Sequence, residues 1–119
     1  MERKEIGILG EKYAQEYLKK RGYGILDANY RGGRLGEIDL IAYVHDGIAF
    51  IEVKTRTGYI YGTPAEAISS KKQKTIRQVA ACFLKAKGKE DMPVRFDVLE
   101  VLVTRDGRLL NINHLQGVF

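Results

Sequence analysis

The chain has 119 residues, 45% of them hydrophobic and 29% charged, a balance that excludes wholesale disorder and an integral membrane protein. Twenty Lys plus Arg stand against 15 Asp plus Glu, for a formal net charge of +5. The single cysteine, Cys82, excludes an internal disulfide framework and a cysteine-rich zinc site. The length suits one domain spanning residues 1–119. No apolar run approaches the ~20 residues of a spanning helix, and Met1-Glu2-Arg3-Lys4-Glu5 lacks an apolar secretory segment. The expected setting is the cytoplasm, with no membrane partner.

From the N-terminus, residues 4–21 are predicted helical, because Ile6, Leu9, Gly10, Tyr13, Ala14 and Tyr17 fall on one stripe at helical spacing. Gly22 is placed to stop this helix after Lys19, Lys20 and Arg21. Residues 23–30 read as a strand and Arg31-Gly32-Gly33-Arg34 as a loop. Two further strands, about 36–45 and 48–56, flank Asp46-Gly47, a strong hairpin signal. The loop from Thr57 to Gly62 carries Tyr59 and Tyr61, whose rings suit base stacking, core packing or a dimer contact. Thr63-Pro64-Ala65-Glu66 opens a helical stretch with a capping box. Ser69-Ser70 interrupts it and restarts a helix to about residue 87, with Ile76, Val79, Ala80, Phe83 and Leu84 on one apolar face and Gly88 at its end. A strand at 94–104, a turn at Arg105-Asp106-Gly107-Arg108 and a short strand at 109–113 complete the chain. The order predicts an α/β or α+β domain, a mixed β-sheet of about five strands flanked by helices.

The charge is concentrated. Between residues 54 and 77, Lys54, Arg56, Lys71, Lys72, Lys74 and Arg77 are opposed only by Glu66, so this segment holds the whole net +5. Such a stretch on an otherwise balanced chain points to a polyanionic partner, while the competing reading is a solvated helix face.

A two-residue Asp46-Gly47 turn would pair His45 with Ile48, so paired numbers would sum to 93. One hairpin face then carries Ile38, Leu40, Ala42 and Val44 beside Ala49, Ile51 and Val53, and must be core. The other gathers Glu37, Asp39, Glu52, Lys54 and Arg56, with Asp39 facing Lys54 and Glu37 facing Arg56. Cross-strand charges also occur on plain solvated sheets, contributing about 0.2–1 kcal/mol per pair. Here the strands are rich in Ile, Val and Phe, and two helices are available to cover both faces. Asp39 and Glu52, with the Val53 carbonyl as a third oxygen, suit Mg²⁺ or Mn²⁺, which bind through one or two carboxylates, water and substrate phosphate. Lys54 is placed to orient a water or to stabilise developing negative charge. His45 and His114 read as surface or packing residues. Gln73 lies one turn before Ile76 on the inward face of its helix, near an N-terminus where phosphate is favoured.

Gly36-Glu37-Ile38-Asp39-Leu40-Ile41 followed by Phe50-Ile51-Glu52-Val53-Lys54-Thr55-Arg56 resembles the acidic and E-x-K motifs of the PD-(D/E)xK nuclease superfamily. Gly7, Gly10-Glu11, Ala14, Tyr17-Leu18, Gly22-Tyr23, Asn29-Tyr30-Arg31, Lys72-Gln73 and Arg95-Phe96-Asp97-Val98 narrow this to the YraN-like family of small bacterial proteins, which is similar to archaeal Holliday junction resolvases. The resemblance implies a restriction-endonuclease-like fold, with Asp39 and Glu52 as metal ligands and Lys54 as the catalytic lysine. Glu11 would match the helix-borne acid that some members add to the metal site; a plain surface carboxylate is the competing reading. The superfamily proline is absent before Asp39. Glu37 reads as an extra ligand or an ion-pair partner of Arg56, and Asp97 with Arg95 as structural.

The expected function is therefore metal-dependent hydrolysis of phosphodiester bonds in DNA, branched or structured DNA included. Arg31, Arg34, Arg56, Lys71, Lys72, Lys74 and Arg77 are the expected nucleic-acid contacts, and a homodimer is expected if both strands of a duplex are cut. Two alternatives stand beside it: a nucleic-acid-binding module without useful catalysis, and a scaffold whose carboxylates are merely ion-paired.

Overall fold

The computed structural model describes residues 1–45, 47–58 and 68–119. Its elements are α1 (Arg3–Lys20), β1 (Gly24–Arg31), β2 (Glu37–Val44), β3 (Gly47–Thr57), α2 (Ser70–Ala86), β4 (Val94–Val103) and β5 (Leu109–Leu115). The helical stretch expected from Thr63 and the loop holding Tyr59 and Tyr61 lie outside the described residues.

Local chemistry sets the helix ends. After α1, the Tyr23 N–H reaches the Leu18 carbonyl at 3.0 Å and the Gly22 N–H reaches Lys19 at 3.1 Å, with Gly22 at φ 86. The end of α2 repeats this, Lys89 to Leu84 at 2.8 Å and Gly88 to Lys85 at 3.3 Å, with Gly88 at φ 63. Both are Schellman caps, which need a left-handed residue that glycine supplies without steric cost. Ser69 caps the start of α2, its Oγ accepting from the Lys72 N–H at 3.1 Å.

The sheet is mixed, in the order β1-β2-β3-β4-β5, with β3 at its centre. β3 runs antiparallel to β2 and parallel to β4, while β1 and β5 add antiparallel edges. Each face has its own core. Ala14 and Leu18 of α1 lie over Leu40, Ala42, Ala49, Ile51, Leu99, Val101 and Val103. Ile76, Val79, Ala80 and Phe83 of α2 lie over Ile38, Ile41, Ile48, Phe50 and Val98. Among the described residues, no helix is long and apolar enough to cross a membrane.

The β2–β3 hairpin corrects the expected register. Its closing pair is Val44–Gly47, so paired numbers sum to 91 rather than 93, and His45 adopts φ 55. Gly47 is needed inside β3, not at the turn. A Cβ there would lie 2.9 Å from the Pro93 carbonyl oxygen, to which the Ile48 N–H donates at 2.9 Å. A two-residue slip preserves the faces, so Leu40, Ala42, Ala49 and Ile51 share one core as expected. Ile38 does not join them. It lies in the α2-side core, because β1 and β2 both break alternation at Asn29 (φ 54) and Asp39: Ala28 and Leu40 face α1, whereas Tyr30 and Ile38 face α2.

At Gly10, α1 packs directly against Thr55 of β3. A Cβ on it would lie 2.6 Å from Thr55 Cγ2 and overlap Thr55 Oγ1. Thr55 is β-branched and stiff, so the helix rather than the side chain would have to move. Gly10→Ala is therefore expected to lower stability by about 1–3 kcal/mol, even though Ala favours a helix over Gly by about 1 kcal/mol. Adding Thr55→Ala should restore part of the loss in a thermal-melting double-mutant cycle; additive losses would contradict the contact.

A buried polar network ties β4 to the C-terminal segment. Asp97, fully buried, accepts from Arg95 Nε and a terminal Arg95 nitrogen at 2.8 Å each and from the Gly117 N–H at 2.9 Å, and pairs with His114 Nε2 at 2.8 Å. Arg95 also donates to the Tyr23 hydroxyl at 2.6 Å. The structural reading of Arg95 and Asp97 holds, and His114 is a packing residue with a polar partner.

Candidate functional site

The hairpin register extended by one step sets Asp39 opposite Glu52, but the β2–β3 ladder stops at Leu40–Ile51. Beyond that pair a side chain replaces the backbone: Asp39 Oδ2 accepts from the Val53 N–H at 2.8 Å. The alternation break at Asn29 and Asp39 turns the Asp39 carboxylate to this point. Glu52 is buried, only 4% exposed, and its Oε1 has no hydrogen-bond partner among the described residues.

Burial raises the Glu52 pKa most, and the Asp39 charge and hydrogen bond add to it. Lys72 of α2 opposes the shift without cancelling it, and the value is pushed up to about 8. Glu52 thus favours its protonated form near neutrality. Such a buried, unsatisfied carboxyl is costly unless something fills the place of the missing partner.

Asp39 also lines a cleft of about 1050 Å³ between α1 and the sheet, with Glu11, Asn29, Val53 and Thr55. Turned so that its nitrogen faces the acids, the Asn29 amide donates to Glu11 Oε1 and Glu37 Oε1 at 3.0 Å each. Burial raises the Glu11 pKa, the Asn29 hydrogen bond opposes this, and the charges of Asp39 and Glu37 raise it again. Glu11 therefore stands near Asp39 and Glu37. Among the described residues, no three Asp, Glu, His or Cys side chains converge closely enough to hold an ion between them.

Asn29 was not singled out as a site residue from the sequence. An asparagine breaking the alternation of a predicted strand is the available signal, since Asn tolerates the left-handed region better than most residues. Asn29→Gly keeps that backbone accessible and deletes the bridge. The Glu11 pKa should then rise further, a change readable by carboxyl NMR titration; an unmoved Glu11 would refute the bridge.

The other expected residues divide. Lys54 lies on the α2 side of β3, in register with Glu100 of β4, and forms no salt bridge among the described residues. Arg56 pairs with buried Glu100 at 3.4 Å instead of facing Glu37, which meets Arg31 at 3.6 Å. The parallel neighbour β4 supplies the acid that the hairpin reading assigned to β2. Gln73 donates its side-chain amide to the Ile68 carbonyl at 3.1 Å, holding the residues before α2. Lys72 is half-buried, Lys71 and Lys74 are exposed, and Arg77 lies over the Phe96 ring at 5.0 Å. Arg34 is exposed on the loop whose Gly32 and Gly36 abut Val79 and Thr75 of α2.

The fold and site define a mixed α/β protein with two opposed carboxylates where its central hairpin opens, between a cleft under α1 and a basic helix start. The chain belongs to the uncharacterised protein family UPF0102, whose model matches residues 10–101. It is 49% identical over 118 residues to a UPF0102 protein of Alkaliphilus oremlandii, covering 98% of both chains. It is 40% identical over 119 residues to a UPF0102 protein of Dictyoglomus thermophilum and 41% identical over 119 residues to one of Caldicellulosiruptor saccharolyticus, each covered end to end.

Proposed function

We propose that this protein is a divalent-metal-dependent endonuclease of the restriction-endonuclease-like superfamily, hydrolysing phosphodiester bonds in DNA, with branched or structured DNA among its substrates. The observation that carries this reading is the opposed Asp39–Glu52 pair, with a buried Glu52 Oε1 that has no partner among the described residues. The donors fit Mg²⁺ or Mn²⁺: two carboxylates and the Val53 carbonyl are hard oxygen ligands, and a cation would offset the burial and the Asp39 repulsion that together hold a proton on Glu52. When bound, the metal supplies Lewis-acid polarisation of the phosphodiester and activation of water.

The remaining work falls to the chain. Val53 orients Asp39 through its N–H. Lys54, two residues beyond Glu52 on the same face of β3, stabilises negative charge developing on the phosphate. Lys72 and Gln73 lie at the start of α2, where backbone N–H groups and the helix dipole favour a phosphate. Lys71, Lys74, Arg77, Arg31, Arg34 and Arg56 supply further positive charge. A single such site cuts one strand, so cutting both strands of a duplex calls for a homodimer, testable by sedimentation.

Purified protein is expected to cleave at least one of single-stranded, duplex, flapped and four-way DNA with Mg²⁺ or Mn²⁺ but not in EDTA. Lys54→Ala should abolish that cleavage. Cleavage surviving both Lys54→Ala and Glu52→Ala would place the activity elsewhere. A second reading is a nucleic-acid-binding module without catalysis, favoured by the lack of a third converging acid among the described residues. It predicts salt-sensitive binding that persists in EDTA, with no cleavage of any substrate.

A further inference from the structure

The cleft under α1 extends well beyond the carboxylates, and its two walls are graded. One wall is a stripe of α1, with Arg3 and Lys4 at one end, Gly7 and Ile8 between, and Glu11 at the other, about 12 Å away at 1.5 Å per residue. The other wall is β3, from Val53 past Thr55 to Thr57, about 13 Å at 3.3 Å per residue. Arg105, on the turn after β4, joins the cationic end. Arg3, Lys4 and Arg105 are all exposed, while Met1 and Ile8, which also line the cleft, are 56% and 63% exposed.

Gly7 supplies a second, independent observation. A Cβ built on it meets nothing within 4 Å among the described residues, unlike Gly10 one turn later. A helix-interior glycine with open space beside it costs about 1 kcal/mol relative to alanine and gains no close packing in return. Its effect is to keep the middle of the cleft open.

We propose that this cleft is the binding track for a single polynucleotide strand, with phosphates on Arg3, Lys4 and Arg105, bases against the apolar Met1 and Ile8, and the scissile linkage delivered to Asp39. This rests on the reading of Asp39 and Glu52 as the cutting site. Stacked as in one strand of a duplex, at about 3.4 Å per nucleotide, roughly three to four nucleotides span the walls. The basic start of α2 lies on the opposite face of the sheet and, with Lys54, would meet the strand only where the hairpin opens at Asp39 and Glu52.

The test is fluorescence anisotropy in EDTA with a short labelled single-stranded DNA, the matching RNA and the DNA duplex. Wild-type protein should bind a single strand more tightly than the duplex, and the DNA and RNA arms identify which sugar it takes. Arg3→Glu/Lys4→Glu/Arg105→Glu should weaken binding by at least about tenfold and reduce the salt slope by about 2, as expected for three lost phosphate contacts. Negative charge is favourable in the first turn of a helix, so α1 should persist, as circular dichroism would verify. Gly7→Phe, which leaves the charge untouched, should weaken binding by a similar factor. Unchanged binding in both variants, or a preference for duplex, would overturn the cleft as the track. Loss of binding instead in Lys71→Glu/Lys74→Glu/Arg77→Glu would move the contact to α2. Cleavage in Mg²⁺ unaffected by the cleft variants would sink the track and leave the cutting site standing. Binding lost in those variants, with no cleavage of any substrate by wild type, would sink the cutting site and leave the track.

Discussion

Glu52→Gln is expected to make the metal-free protein more stable at neutral pH while abolishing its metal response. In the folded chain Glu52 has a pKa pushed up to about 8, against 4.5 as its ordinary value, through burial and the adjacent Asp39 charge. For an acid the sign is definite: the folded state holds a proton that the unfolded state releases, so the Glu52 contribution favours folding below about pH 4.5. It falls steadily as pH rises toward 8 and is constant above. At 1.36 kcal/mol per pKa unit the loss is about 5 kcal/mol at most. The stability difference between Glu52→Gln and wild type should therefore be small near pH 4.5 and grow toward pH 8, as measured by urea unfolding. Mg²⁺ or Mn²⁺ should stabilise wild type in proportion to ligand excess, about 2.7 kcal/mol at a hundredfold excess over Kd, and leave Glu52→Gln unmoved. A glutamine variant less stable than wild type at pH 8 would contradict the buried, repelled carboxyl.

Asp97→Ala should produce the largest loss of stability, about 3–5 kcal/mol, because it leaves Arg95 and His114 without their buried partner. Burial alone would raise the Asp97 pKa, but hydrogen bonds from His114, Arg95 and the Gly117 N–H outweigh it, and the value ends below the ordinary 3.8. Its contribution is present above that ordinary value and is lost as pH falls through the lowered folded value. Wild type should consequently lose more stability on acidification than Asp97→Ala does. Amide exchange at Gly117 should accelerate in the variant, since that N–H loses its acceptor. Protection of Gly117 as strong as in wild type would exclude the pinning of the C-terminal segment by Asp97.

Much of this was legible in the residues, for identifiable reasons. Period-2 alternation shows which residues of β2 and β3 share a face, apart from Ile38, and a two-residue slip in register leaves that unchanged. The same slip hid the direct opposition of Asp39 and Glu52, because Gly47 carries a turn signal although its place is against Pro93. Ile38 lies in the other core from the one alternation predicts, because that rule assumes a regular strand and β2 breaks at Asp39, opposite Asn29 of β1. The partner of Arg56 was invisible. Glu100 lies 44 residues away in a parallel strand, and no local pattern encodes the register of a crossover. Arg3, Lys4 and Arg105 are unremarkable as sequence, since their common cleft exists only once α1 lies across β3.

The connection between β3 and β4 also constrains how the protein comes together. The β2–β3 hairpin joins neighbouring residues and can close on the microsecond scale, whereas Ile48 meets Val94 across 46 residues and must wait for a long loop to close. Asp39 and Glu52 are therefore expected to meet first in a hairpin still open to solvent, with both ionised, and Glu52 to take up its proton when α2 and β4 dock. Raising pH through 7 should thus speed unfolding of the metal-free chain far more than it slows the initial collapse.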